Sequence, residues 1–212
     1  SETTEQNVVV DMDLESGRYV MNEELVYTEL GQEMFICPSA GGGKDWQAST
    51  YSPDTNVMYY PLQNLCMNAL SYIDEPAGGD NGLDFQFVIT PGEENVGTIW
   101  AISAETGEVL WIHEQRAATI STVATAGGLV FFGDVDGYFK ALDQESGEVV
   151  WQTRLPASVT GYPVSYEVDG RQYVAVAVGG ALIDGSYLGV TPELSPGRGS
   201  NSFFVFALPE SE

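Results

Sequence analysis

Residues 101–111 read AISAETGEVLW and residues 141–151 read ALDQESGEVVW. Both fit Ala-x-(Ser/Asp)-x-x-x-Gly-x-x-x-Trp, with Gly107 and Gly147 in register and Trp111 and Trp151 closing each copy. A self-similar phrase at a period of about 40 residues, set among β-type residues, constrains the chain to stacked four-stranded units, as in a propeller or an array. Glu105-Thr106-Gly107 and Glu145-Ser146-Gly147 read as hairpin turns in which glycine supplies the positive φ. The alanine is small enough for close packing. The tryptophan can lie flat on the neighbouring unit with its indole N–H bonded to backbone.

The rest of the chain extends this pattern. LVFFGD (129–134) and YFKALD (138–143) are predicted strands after the first phrase, and VMYYPL (57–62) and FQFVIT (85–90) are predicted strands before it. DEPAGGDNG (74–82) and residues 182–201 read as surface loops, and FFVFALP (203–209) as an outer or closing strand. A weaker copy, DMDLESGRYVM (11–21), keeps Asp13 and Gly17 but has Met21 in place of tryptophan. No linker divides the chain, so residues 1–212 are expected to be one all-β domain of about four four-stranded antiparallel blades. Four blades leave apolar faces open at both ends of the arc. A tight four-bladed ring, a homodimer or a second polypeptide carrying the other blades would each cover them.

With 31 acidic and 7 basic residues, the net charge is −24. Phosphate contacts need a basic face, so nucleic-acid binding is excluded. The acids serve either as a solvated surface suited to an extracytoplasmic setting or as a face that steers a basic partner such as a small cytochrome. No apolar run reaches the roughly 18 residues of a membrane span. The two cysteines, Cys37 and Cys66, form no CxxC or CxxCH motif. That excludes a cysteine-rich zinc site and covalent haem and favours one disulfide in an oxidising compartment, with two free buried thiols as the alternative.

The two phrases, together with ICPSAGGGKDWQASTYSP (36–53), LCMN (65–68), VATAGGLVFFGDVDGYFKALDQESGEVVW (123–151) and GYPVSYEVDGRQYVAVAVGG (161–180), resemble the C-terminal part of a pyrroloquinoline quinone (PQQ) dependent alcohol dehydrogenase. This is the methanol and ethanol dehydrogenase family of eight-bladed propellers. The resemblance implies a Cys37–Cys66 disulfide, blade-docking roles for Trp111 and Trp151, and a periplasmic or secreted protein. It places Asp45 and Trp46 at the family's GGKNW position, beside the quinone. An asparagine amide there donates to a quinone oxygen, whereas ionised Asp45 can only accept, and a carboxylate beside a multiply anionic cofactor is costly unless protonated or paired. Backbone N–H groups of the turn are the remaining donors, and Lys44 can offset charge.

Two further departures concern ring positions. Thr119 falls where several members carry a tryptophan, and Ala181-Leu182 where members often carry a bulky aromatic. Losing both rings implies a wider active-site mouth and a bulkier alcohol or sugar, unless other aromatics refill both places. The family's ligands for Ca²⁺ or a lanthanide, and its catalytic base, lie N-terminal to ICPSA, so this chain is expected to carry no catalytic or metal residue. His113, the only histidine, reads as a surface residue. The resemblance thus implies a C-terminal half, nicked or separately encoded, that is inactive until an N-terminal half joins it. An alcohol substrate and a cytochrome c-type or other electron acceptor would complete its partners. The alternative is a non-catalytic PQQ-like-repeat propeller that scaffolds proteins, and ICPSA with GGKDW argues against it. No Ser/His/Asp constellation supports a hydrolase.

Overall fold

The computed structural model describes residues 3–74, 80–180, 182–197 and 201–207. In chain order the strands are β1 (Val9–Asp13), β2 (Arg18–Met21), β3 (Glu33–Ile36), β4 (Thr50–Ser52) and β5 (Val57–Gln63). They continue with β6 (Leu65–Asp74), β7 (Asp80–Ile89), β8 (Gly97–Ser103), β9 (Val109–Gln115), β10 (Thr119–Thr125) and β11 (Leu129–Asp134). The remainder are β12 (Tyr138–Asp143), β13 (Val149–Arg154), β14 (Val164–Val168), β15 (Arg171–Val178), helix α1 (Leu182–Val190) and β16 (Ser202–Ala207).

Two sheets are complete four-stranded antiparallel units, β4-β5-β8-β9 and β10-β11-β12-β13. These contain the two phrases, and their last two strands meet at the Gly107 and Gly147 turns. Against an expectation of about four such units, the other sheets are smaller: β14-β15-β16, β3-β6-β7 and the ribbon β1-β2. Part of the difference lies in β6 and β7, which interrupt the first unit. They leave between β5 and β8 and pair with β3 as a separate sheet. Pairing of β6 with β7 runs out to Asp74 and Asp80, so residues 74 and 80–82 of the predicted 74–82 loop are strand, and 75–79 lie outside the described residues.

The phrase makes the same turn three times. Gly17, Gly107 and Gly147 all have φ near +70° and each donates its N–H to the carbonyl four residues earlier. In two copies the preceding aspartate caps the turn: Asp13 and Asp143 each accept from backbone N–H groups two and three residues on. These bonds hold both carboxyls below their ordinary range, the serine hydroxyl contact leading for Asp13 and the Ser146 backbone for Asp143.

Packing is sheet on sheet. Val57, Tyr59, Ile99 and Ala101 of the first complete unit meet Val130, Phe132 and Leu142 of the second. The other face of the second unit, through Phe139, meets Val174, Val176 and Val178 of β15. Trp111 crosses the first of these seams. Its Nε1 donates to the Gln144 carbonyl at 3.0 Å, Tyr59 Oη donates to the same oxygen at 3.1 Å, and the indole lies against Gly147. Trp151 meets Phe139 and Phe206 edge-on instead, and is 38% exposed.

The outer faces of the stack are apolar and open. Tyr51, Leu110 and Ile112 are exposed on the first unit, and Val164, Tyr166, Val168, Phe203 and Val205 on the last sheet. The β1-β2 ribbon exposes Val10, Met12, Tyr19 and Val20. No described helix is long and apolar enough to cross a membrane.

Candidate functional site

The segment from Gly41 to Ala48 has no regular structure and is held by bonds to three other elements. Loop backbone is stable only when its polar groups find partners, and here they come from distant parts of the chain. At its start, the Cys37–Cys66 disulfide ties the end of β3 to β6, and Gln63 N–H donates to the Gly43 carbonyl at 2.8 Å. At its end, Ala48 N–H donates to Ser121 Oγ at 3.0 Å and Thr122 N–H donates to the Ala48 carbonyl at 2.9 Å, fixing the segment along β10.

Between these anchors lies the turn Lys44-Asp45-Trp46, all three side chains exposed. Gln47, directly after it, is buried and spans two partners. Its Oε1 accepts from Asp45 N–H at 3.1 Å, and its Nε2 donates to Tyr187 Oη of α1 at 3.1 Å. Tyr187 is buried, and its phenol is pushed above the ordinary tyrosine range, chiefly by burial. A further anchor is Tyr162, whose hydroxyl donates to the Trp46 carbonyl at 3.0 Å. The two rings meet edge to face, centroids 5.9 Å apart.

The turn therefore presents one exposed indole, one ammonium and one carboxylate on an anchored backbone. Lys44 joins none of the ion pairs among the described residues. The Asp45 N–H, a donor the sequence left available for a ligand, is already given to Gln47. A planar anionic ligand would find a flat apolar surface in Trp46 and a counter-charge in Lys44, with Asp45 opposing it.

The other predicted positions lie elsewhere. Thr119 does not line an opening: it is fully buried, with Oγ1 donating to the Thr98 carbonyl at 3.1 Å and its own carbonyl accepting from Gln63 Nε2. Ala181 lies outside the described residues, as does the side chain of Leu182, which opens α1. A cleft of about 540 Å³ is lined by Glu33, Phe35, Asn68, Leu70, Asp84 and neighbours on the β3-β6-β7 sheet, and by no residue of the turn.

Gln47, Tyr187 and Tyr162 were missed from sequence. Gln47 stands beside GGKDW, but its partner is 140 residues away, and Tyr162 is 116 residues from Trp46. No local signal announces such pairs.

His113 also departs from its predicted surface position. Its ring meets Phe132 edge-on across the seam, and Nε2 is buried with no hydrogen-bond partner among the described residues. Burial, and secondarily the Lys140 ammonium, hold its pKa below the usual 6.5. Lys140 is itself paired with buried Asp134 at 3.3 Å, so the group is structural. A histidine with a lowered folded pKa binds fewer protons than the unfolded chain, so stability falls as pH drops through about 6.5 toward the folded value. His113→Phe keeps the ring contact and is expected to flatten that loss in melting curves between about pH 7.5 and 5.5. Parallel wild-type and variant profiles would exclude the assignment.

Residues 93–174 match the family model described as PQQ: glucose/ethanol/alcohol dehydrogenase, beta-propeller domain. The lanthanide-dependent methanol dehydrogenase of Methylacidiphilum fumariolicum (strain SolV) is 37% identical over 150 residues, 68% of this chain and 24% of that protein. The quinoprotein ethanol dehydrogenase of Pseudomonas putida is 34% identical over 210 residues, 93% of this chain and 33% of that protein. Among solved structures, a europium-containing methanol dehydrogenase superposes with a TM-score of 0.83 at 28% identity, covering 97% of this chain and 40% of that one. The chain thus spans a third or less of the length of these two curated relatives. Repeat phrase, sheet packing and these likenesses agree: the chain belongs to the PQQ-dependent alcohol dehydrogenase family of quinoprotein β-propellers.

Proposed function

We propose that residues 1–212 are one partial domain, the C-terminal part of a PQQ-dependent dehydrogenase that oxidises an alcohol to an aldehyde or ketone. The observation that carries this reading is the exposed indole of Trp46 on a turn anchored from three sides. PQQ, when bound, would supply an electrophilic quinone as hydride acceptor, and a Ca²⁺ or lanthanide ion would supply Lewis acidity. This chain's part is to bind and orient. Trp46 offers an apolar face, Lys44 a positive charge, and the Gln47–Tyr187 bond keeps the turn from shifting.

Metal ligands and the base that accepts the alcohol proton belong, in this reading, to an N-terminal half. The same half would cover the open apolar faces at Leu110 and Ile112 and at Val164, Tyr166 and Phe203. The strongly acidic surface suits a basic cytochrome c-type acceptor, in the periplasm or outside the cell. The chain's own disulfide agrees with an oxidising compartment.

Intact mass and a denaturing gel of the native preparation test the missing half, which should run at roughly 35–45 kDa if it carries about four more blades with insertions. Reconstitution with PQQ and Ca²⁺ or a lanthanide, using a dye acceptor, should give turnover only when both parts are present. A folded, monomeric 22.9 kDa species with no companion and no cofactor uptake would instead favour the scaffold reading.

A further inference from the structure

We propose that Tyr162 is the positioning residue for Trp46, fixing both its peptide and its ring at the turn. This rests on reading that turn as cofactor-facing. Asp45 is held by Gln47, and Ala48 by Ser121 and Thr122. The Trp46 carbonyl is held by Tyr162 Oη. Among the described residues, Tyr162 is also the only aromatic ring that meets the indole. Trp46 is 37% and Tyr162 49% exposed, so core burial does not fix the pair. A directed hydrogen bond and an edge-to-face contact do.

Tyr162 can act this way because its own backbone is rigidly based. Gly161 N–H donates to the Ala177 carbonyl at 3.0 Å, and Thr160 Oγ1 donates to the Gly179 carbonyl at 3.1 Å. A Cβ on Gly161 would lie 2.8 Å from the Ala177 Cβ and carbonyl, so the strand end and the loop are in close contact. Pro163 follows and restricts the backbone of Tyr162 itself. The contact therefore joins the loop that leads into the β14-β15-β16 sheet to the turn, whose other hydrogen-bond partners named above come from β5, β10 and α1. A shift of the last sheet against the others reaches Trp46 through this side chain, beside the packing of β14 on β10.

Tyr162→Phe removes the hydrogen bond and keeps the ring, whereas Tyr162→Ala removes both. In the whole protein as purified, the emission of Trp46 is isolated by subtracting the spectrum of Trp46→Phe. Acrylamide quenching of that emission is expected to rise in Tyr162→Phe and to rise further in Tyr162→Ala. The PQQ release rate should follow, roughly threefold faster for the lost bond and about threefold more for the lost ring. Unchanged emission and quenching of Trp46 in both variants would overturn the proposal. If Trp46 emission shifts but PQQ release is unaffected in Tyr162→Ala and in Trp46→Ala alike, the positioning role stands and the cofactor-facing reading falls. Because Tyr162 is half exposed, melting temperatures should stay near wild type, separating a local displacement from general unfolding.

Discussion

Gly147→Ala is expected to melt roughly 6–12 °C below the wild type, while Gly107→Ala, the same substitution at the same place in the same phrase, should lose a little under half of that. Both glycines sit at φ near +70°, where an L-residue costs about 1–2 kcal/mol. That strain is common to the two. The difference is what a side chain meets. At Gly147 an added Cβ would lie 2.7 Å from the Trp111 ring, and at Gly107 it meets nothing within 4 Å. Overpacking of this kind costs a further 1–3 kcal/mol. The Trp111 indole can escape only by breaking its bond to the Gln144 carbonyl, so relief of the clash is itself costly. Urea or thermal melts of the two variants under one set of conditions give the comparison. Equal losses would mean that Trp111 moves aside freely and that the seam does not depend on it. Trp151 provides a second control. It makes no contact of this kind with a repeat glycine, so Trp151→Phe should cost less than Trp111→Phe.

The contrast also explains how much of the fold could be read from the chain. Where a unit is closed within one stretch, as in LVFFGD and YFKALD, alternation and turn glycines define the strands to the residue: β11 and β12 have the expected bounds. Reading fails where pairing is decided at long range. Nothing local in residues 65–89 says that this hairpin will leave its unit and pair with β3. Helix α1 reads as loop because LIDGSYLGV carries two glycines and β-branched residues, poor helix formers. It forms where Tyr187 is buried against Leu65, Val96 and Ile120, so packing overrides propensity. His113 is the same lesson in a side chain: following Trp111 on an edge strand, it reads as exposed, but Phe132 and Lys140 of the next sheet enclose it. For the site, GGKDW located the turn, but its supports, Tyr187 and Tyr162, come from sequence more than a hundred residues away.

Asp45→Asn is expected to tighten PQQ binding about 10- to 30-fold in the whole protein. If the turn faces the cofactor as proposed, a carboxylate there sets a like charge against a multiply anionic ligand and offers it no donor, whereas the amide removes the charge and supplies N–H groups. Backbone cannot make up the deficit at this residue, because the Asp45 N–H is committed to Gln47 Oε1. The substitution leaves that bond intact, so the geometry of the turn should be preserved and the change in affinity should report charge and hydrogen bonding alone. Screening provides an internal check. The wild-type deficit should shrink as salt rises toward 1 M, where the Debye length falls to about 3 Å, whereas the part due to the new donor should persist. Lys44→Gln should act in the opposite direction, weakening binding, and the two effects should be less than additive if Lys44 and Asp45 partly cancel one another. Titration of the cofactor-free protein by quenching of Trp46 emission measures all of these. An Asp45→Asn protein that binds PQQ no better than wild type at low salt would mean that this carboxylate points away from the ligand, and that Trp46 alone marks the cofactor side of the turn.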